Sequence, residues 1–200
     1  MQQKAKKAKF QPKYESSSYL SEKRVRAEAQ KYKYFRKNDK IMIVQGKKFD
    51  KSFEKLKVAV CEEFIGRIAG PMRISFVETE NSASIIILTT TMDDETEGFL
   101  KGFMSNAVNS DKLNYLRDAI RCSNPIIEKH NKKYIKLIRI LSDEDIIRFA
   151  RTAGLLKDSL NIAAPKRSDI HRMILAVDSK YPGRKRSLQT SIEKLRMLLN

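Results

Sequence analysis

The chain has 200 residues, of which 41% are hydrophobic and 32% are charged. This length allows one domain or two small ones, and the apolar fraction is large enough for a folded core, which excludes a wholly disordered protein. No apolar run approaches the roughly 20 residues of a membrane-spanning helix, and the basic start lacks the apolar segment of a signal peptide. We therefore expect an intracellular protein, cytoplasmic or nuclear, with no membrane partner.

Net charge is the compositional feature that points to a partner. The chain carries 41 Lys and Arg against 24 Asp and Glu, a formal net charge of +17. This charge is segregated, because residues 1–40 carry +9, residues 41–97 carry −3, residues 98–164 carry +5 and residues 165–200 carry +6. Concentrated Lys and Arg favour a polyanion, since each cation releases a counterion from a phosphate backbone. We therefore expect nucleic acid, either DNA or RNA, as the partner.

Residues 1–40 are predicted to form a basic N-terminal arm. Residues 1–20 contain KAKKAK, one proline and three consecutive serines, which is typical of a flexible segment. A short helix is predicted from Ser21, and the aromatic rings interleaved with its cations can stack on unpaired bases. The alternative is that the rings pack the arm against the core and the cations form a solvated face. The candidate nucleic-acid-binding residues of the arm are Lys4, Lys6, Lys7, Lys9, Arg24, Arg26, Lys31, Tyr32, Lys33, Tyr34, Arg36 and Lys37.

Residues 41–92 are predicted to form a small α+β unit with the order strand, helix, strand, strand. The apolar run IMIVQ gives the first strand, and an apolar stripe at three- and four-residue spacing indicates the helix, which ends at Gly70 and the following proline. Apolar and polar residues alternate over residues 72–79, which indicates a strand with one solvent-exposed face. The β-branched run at residues 84–91 indicates a more deeply buried strand. Because a polar turn separates these two strands, we expect a hairpin.

Two sets of acidic residues are candidates for a metal site. Converging carboxylates can bind a divalent metal ion for phosphodiester hydrolysis, which makes a metal-dependent nuclease one hypothesis. Acids at the start of a helix also stabilise its dipole, and this ordinary explanation is favoured for the first set. The two sets are Asp93, Asp94, Glu95 and Glu97 at a predicted helix start, and Glu62, Glu63, Glu78 and Glu80 near the predicted sheet.

Residues 125–141 are predicted to form a basic amphipathic helix, with Asn124 as its cap. Its cations gather on one side and its apolar residues on the other, and His130 on the apolar side is interpreted as a packed core histidine. Such a cationic face can lie along a phosphate backbone, although lysine also fills many ordinary surface helices. The candidate binding residues of this face are Lys129, Lys132, Lys133, Lys136 and Arg139.

Residues 142–200 are predicted to be helical. Residues 146–163 carry a weak helix-turn-helix pattern around Gly154, but a glycine ends many helices, so the interpretation as a DNA-reading motif is not favoured. The tail is predicted to form two further helices, separated by a break at residues 181–183 and a basic loop. The loop residues Arg184, Lys185 and Arg186 are candidates for phosphate binding or for a nuclear address.

Signatures of catalysis are absent from the sequence. It contains no phosphate-binding glycine loop, no zinc-type cysteine pairs and no nucleophile elbow. The two cysteines, Cys61 and Cys122, are too few for a disulfide scaffold and are interpreted as reduced core residues. We therefore expect neither an enzyme nor a cofactor.

The sequence as a whole predicts an α+β fold: a small sheet, then a mainly helical half over residues 93–200 that shares its core. The predicted function is nucleic-acid binding led by phosphate contacts with weak sequence preference, as in a genome-coating protein or a replication or transcription accessory protein. The first alternative is an assembly subunit that self-associates or binds a protein partner through the helical half. The second is the metal-dependent nuclease.

Overall fold

The computed structural model describes residues 17–46, 51–105, 123–156, 162 and 168–199. None of the helices in these ranges is long and apolar enough to cross a membrane. Two short 3-10 helices, Gly70–Met72 and Glu80–Ser82, connect the regular elements. The helices are α1 (Ser17–Lys31), α2 (Lys51–Ala69), α3 (Met92–Ser105), α4 (Asp143–Thr152), α5 (Asp169–Lys180) and α6 (Arg184–Leu199), and the strands are β1 (Lys40–Val44), β2 (Ser75–Phe76), β3 (Ile85–Leu88), β4 (Ile126–Lys129) and β5 (Lys132–Ile135).

The five strands form one mixed sheet in the order β2-β1-β3-β5-β4. Strand β1 is parallel to both β2 and β3, β3 is parallel to β5, and only the β4–β5 pair is antiparallel. The predicted fold class is confirmed, because a small sheet is combined with a mainly helical C-terminal half. The sheet is larger than predicted, since β4 and β5 come from the region that was expected to be helical.

The hairpin predicted for residues 72–91 is wrong. Strands β2 and β3 do not pair with each other; they flank β1 on opposite sides. Strand β2 has only two residues, and Phe76 in it is 53% exposed. The local alternation correctly indicated extended backbone, but the partner of a strand depends on the rest of the sheet. Three consecutive buried isoleucines in β3 are typical of a parallel strand that is covered on both faces.

The helix predicted for residues 125–141 is also wrong, because β4 and β5 form a hairpin there. Its two-residue turn consists of His130 and Asn131, both with positive φ, 51° and 59°, as a tight antiparallel turn requires. His130 is exposed at this turn and is not a core residue. Spacings of three and four among the lysines imitate a helical face, while the β-branched residues beside them favour strands.

Residues 17–40 are part of the core and do not form a flexible arm. Helix α1 confirms the helix predicted from Ser21, although it begins at Ser17. Val25 and Tyr34 are fully buried in the same apolar cluster as Phe64 of α2 and Phe149 of α4, whose rings stack with centroids 4.2 Å apart. The alternative interpretation of the arm therefore holds for Tyr34, whose ring packs inside the protein. Residues 1–16 lie outside the described ranges.

The two predicted tail helices are confirmed as α5 and α6, which pack with α3. The hydroxyl of Ser168 caps α5, and Gly183, with a φ of 90°, lies in the break before α6. The predicted basic loop is wrong, because Arg184 already begins α6. The second helix of the helix-turn-helix pattern falls largely on undescribed residues.

Candidate nucleic-acid interface

Arg139 is the most buried of the predicted phosphate-binding cations. Its side chain has no exposed surface, and its Nη1 lies 2.8 Å from a carboxylate oxygen of Glu28 and 2.8 Å from one of Glu193. Its Nη2 lies 2.9 Å from Glu95 Oε2. Burial opposes the charged form, but these three carboxylates outweigh it and raise the pKa of Arg139. The guanidinium therefore joins α1, α3 and α6 and does not face solvent.

Lys136 and Lys185 are buried in the same way. Lys136 Nζ lies 2.9 Å from Glu95 Oε1, and Lys185 Nζ lies 2.6 Å from Asp93 Oδ1. Each lysine side chain is 8% exposed. The predictions of these cations as surface contacts were based on a helix and a loop that the structure does not contain. A polyanion outside the protein could reach them only by breaking these ion pairs.

The acids at the start of α3 are partners of these cations and form part of a helix cap. Asp94 and Thr91 cap α3 reciprocally: the amide of Thr91 donates to Asp94 Oδ2 at 3.0 Å, and the amide of Asp94 donates to Thr91 Oγ1 at 3.3 Å. Asp93 accepts from the amide of Asp143 at 2.7 Å. Within the described ranges, no group of three or more His, Cys, Asp or Glu residues is arranged to hold a metal ion.

Four other predicted cations surround one open cleft with a volume of about 570 Å³. One wall is the segment 34–39 before β1, and the other is the turn of the β4–β5 hairpin. The start of β3 forms the floor, so the cleft lies where β1, β3 and β5 begin. Arg36, Lys129, Lys132 and Lys133 line it together with Tyr34, Asp39, Ser84, Ile85, Glu128, His130 and Asn131.

Two of these cations bind backbone carbonyl oxygens, and one of the two joins the walls. Lys133 Nζ donates to the carbonyl oxygens of Lys33 and Tyr34, at 2.7 and 3.0 Å, and so joins the hairpin to the opposite wall. Burial, and then the nearby charge of Arg36, lower the pKa of Lys133. Lys132 Nζ donates to the carbonyl oxygen of Glu80 at 2.7 Å.

Arg36 and Lys129 remain available for a ligand. Both are exposed, and neither side chain forms an ion pair with a residue in the described part of the chain. Asp39, which could neutralise Arg36, instead accepts a hydrogen bond from the backbone amide of Arg36 at 2.6 Å. The rim of the cleft therefore presents two exposed cations that form no ion pair within the described ranges, from segments that are more than 90 residues apart in the sequence.

The remaining predicted residues of the arm do not line this cleft. Arg26 pairs with Glu22 at 2.8 Å. The ammonium group of Lys31 lies 4.7 Å from the centre of the Tyr32 ring, and the Tyr32 hydroxyl is 2.8 Å from Arg196 Nη2. Lys33 and Lys37 are exposed beside the cleft. The predicted residues Lys4, Lys6, Lys7 and Lys9 lie outside the described ranges.

Three further predicted cations lie in α1 and at the start of α6. Arg24 is half-buried, and burial followed by the like charge of Arg186 lowers the pKa of its guanidinium. Arg184 and Arg186 are exposed in the first turn of α6.

No family model and no curated protein matches this chain. Among solved structures, it is similar to the U34-tRNA thiolase NcsA of Methanococcus maripaludis, determined with its [4Fe-4S] cluster, with a TM-score of 0.52 and 10% sequence identity. The alignment covers 90% of this chain and 80% of that chain. At this identity the similarity is one of fold.

This comparison contradicts the function predicted from the sequence. The protein that shares the fold is a tRNA thiolase, which is an RNA-modifying enzyme and not a genome-coating or replication accessory protein. The prediction of a coating protein rested on net charge. Net charge cannot separate coating proteins from tRNA-binding proteins, because both classes carry an excess of cations.

Sequence reasoning also missed several residues of the site. Asp39, Glu128 and Asn131 line the cleft but were not singled out. The signal that could have revealed them is the pair His130-Asn131 between two segments with β-branched residues, which fits a two-residue hairpin turn.

Proposed function

We propose that this chain binds tRNA and acts in tRNA modification, with the cleft between residues 34–39 and the β4–β5 turn as its RNA contact. The observation that carries the proposal is that Arg36 and Lys129, two exposed cations without an ion pair in the described ranges, line the same cleft. The similarity of fold to a tRNA thiolase supports tRNA as the type of RNA.

The cleft is chemically suited to an RNA backbone. Its volume of about 570 Å³ lies within the roughly 300–1,000 Å³ of typical ligand sites. Arg36 offers a planar donor fork and Lys129 a point charge, and both groups favour phosphate oxygens. His130 and Asn131 stand at the exposed turn, where they can hydrogen-bond a ribose 2′-hydroxyl or a base edge, the groups that distinguish RNA from DNA.

The donor set of this chain does not fit a [4Fe-4S] cluster like that of the thiolase. Such clusters are held by cysteine thiolates, ordinarily about four, whereas this sequence has two cysteines. Cys61 is fully buried in the middle of α2, and burial raises the pKa of its thiol, which disfavours the thiolate. We therefore propose that the chain contributes tRNA binding and does not itself perform cluster-dependent chemistry.

The proposal is tested by measuring the affinity of the purified protein for labelled tRNA and for duplex DNA of similar length across a salt series. The double variant Arg36→Glu/Lys129→Glu should lose at least about tenfold in tRNA affinity. The slope of the logarithm of its association constant against the logarithm of salt concentration should be less steep by up to about two units. Each lost phosphate contact reduces this slope by up to about one unit.

The matched control is Lys55→Glu/Arg151→Glu, which changes the net charge equally at two exposed positions outside the cleft. We expect this control to retain tRNA affinity within about threefold, because distant surface charges are screened at physiological salt. Equal losses in the two double variants would contradict a localised site. Equal affinity of the unaltered protein for tRNA and duplex DNA would contradict tRNA as the ligand.

A further inference from the structure

The opposite edge of the sheet has the strand topology at which open α/β sheets form a ligand-binding crevice. Strands β1 and β3 are parallel and end at the same level, with Val44 opposite Leu88. Helix α2 follows β1 and α3 follows β3, while the next strands along the chain, β2 and β4, lie on opposite sides of this pair. Ligands of such sheets bind beyond the carboxyl ends of two strands arranged in this way, and helix N-termini there attract anions.

In this protein a carboxylate of the chain itself lies in that crevice. Glu54 is in the first turn of α2 and is only 1% exposed. It packs directly on Gly46, two residues beyond β1, where a Cβ atom would lie 2.8 Å from Glu54 Cδ. Any side chain at position 46 would therefore force the carboxylate of Glu54 to shift.

The surroundings of Glu54 are those of a bound anion. Lys57 Nζ lies 2.9 Å from Glu54 Oε1 and 3.6 Å from Asp94 Oδ2 at the start of α3. The side chain of Lys57 is 3% exposed, so the ion pair is withdrawn from water. No described residue donates a well-directed hydrogen bond to either carboxylate oxygen of Glu54. Among the described residues, the compensating charges are Lys57 and the positive end of the α2 dipole.

An ordinary stabilising ion pair between neighbouring turns of a helix would not be expected to take this position. Pairs of that kind gain little from burial, because removing two charges from water costs about as much as their attraction returns. Glu54 is instead buried beyond the carboxyl ends of two parallel strands, which is where open α/β sheets bind anionic ligands.

We propose that Glu54 is the internal occupant of an anion site at the carboxyl ends of β1 and β3. Its carboxylate takes the position of a phosphate group and closes the crevice to nucleotide-type ligands. The inference concerns the edge of the sheet opposite the tRNA cleft and does not depend on RNA binding.

The test uses isothermal titration with inorganic pyrophosphate, without RNA, on the full chain and on Glu54→Ala. Removal of the carboxylate leaves Lys57 and the N-terminus of α2 to bind the probe, so we expect at least about tenfold tighter binding than by the unaltered protein. Glu62→Ala is the matched control, because it removes an exposed acid from the same helix and gives the same net charge. This control reports pyrophosphate binding to surface lysines alone.

A second substitution tests whether the increase in pyrophosphate affinity arises at Lys57. Lys57→Met added to Glu54→Ala should return pyrophosphate affinity to that of Glu62→Ala. The proposal is overturned if the unaltered protein binds pyrophosphate as tightly as Glu54→Ala, since the crevice would then be open. It is also overturned if Glu54→Ala, folded by circular dichroism, binds no tighter than Glu62→Ala. Should Glu54→Ala fail to fold, Glu54→Ser also removes the carboxylate, leaves room for the probe and is judged by the same criteria.

Discussion

The two edges of the sheet use the same kinds of charged residue in opposite ways. At the edge where β1 and β3 begin, Arg36 and Lys129 face solvent without acidic partners in the described ranges. At the edge where those strands end, Glu54 and Lys57 are enclosed as an ion pair. A cation is available to a polyanion only where the fold leaves it without a carboxylate, so the position of the acids decides which of the 41 cations can bind.

The buried cluster around Arg139 extends this contrast into the helical half. Three carboxylates surround one guanidinium, and they come from α1, α3 and α6. Removal of the cation would leave like charges facing one another in a poorly hydrated space, which is strongly unfavourable. The cluster is therefore a structural junction, whereas the cleft is a surface for a ligand.

The largest expected effect comes from breaking this junction. Arg139→Met should lower the free energy of unfolding by about 3–5 kcal/mol, because Glu28, Glu95 and Glu193 lose their common partner. Urea denaturation measures the loss, and Arg151→Met, at an exposed position, is the control. A loss below about 1 kcal/mol would show that Arg139 is not the junction and would remove the contrast between the two kinds of cation.

An intermediate effect is expected for Lys133, which belongs to the cleft but is partly buried. Lys133→Met removes two charge-assisted hydrogen bonds to the carbonyl oxygens of Lys33 and Tyr34 and should cost about 1–2 kcal/mol of unfolding free energy. The wall at residues 34–39 should then loosen, which faster backbone amide exchange there would report. Lys132→Met removes one cation from the same strand without touching this wall and is the matched control. Equal amide exchange in the two variants would contradict a positioning role for Lys133.

The sequence was sufficient to predict the helices, because the apolar residues that define a helix lie within one short segment of the chain. Helices α2, α3, α5 and α6 follow from spacings of three and four, and their caps and breaks lie within a few residues of each end. The hairpin of β4 and β5 was missed because its lysines imitate a helical face. The parallel pairing of β1 with β3 was missed because their registry depends on residues 44 positions apart.

The charged sites were harder to predict for the same physical reason. Arg139 was interpreted as a surface residue because its partners Glu95, Glu193 and Glu28 are 44, 54 and 111 positions away in the sequence. Arg36 and Lys129 were both identified as candidates but were assigned to separate surfaces. Their meeting depends on the β3–β5 pairing, which places Lys133 beside Ile85.

The smallest effect on stability is expected for a substitution of Lys129. Its effect on tRNA binding tests most directly the difference between exposed cations at the cleft and buried, paired cations. Lys129→Ala removes an exposed cation without an acidic partner in the described ranges and should change the free energy of unfolding by no more than about 0.5 kcal/mol. The affinity for tRNA should nevertheless fall about three- to tenfold, and the salt dependence should become shallower by up to about one unit, because one phosphate contact is lost. Parallel urea and tRNA titrations of this variant measure both quantities. A stability loss comparable to that of Arg139→Met, or an unchanged salt dependence, would mean that Lys129 serves the fold and not the ligand.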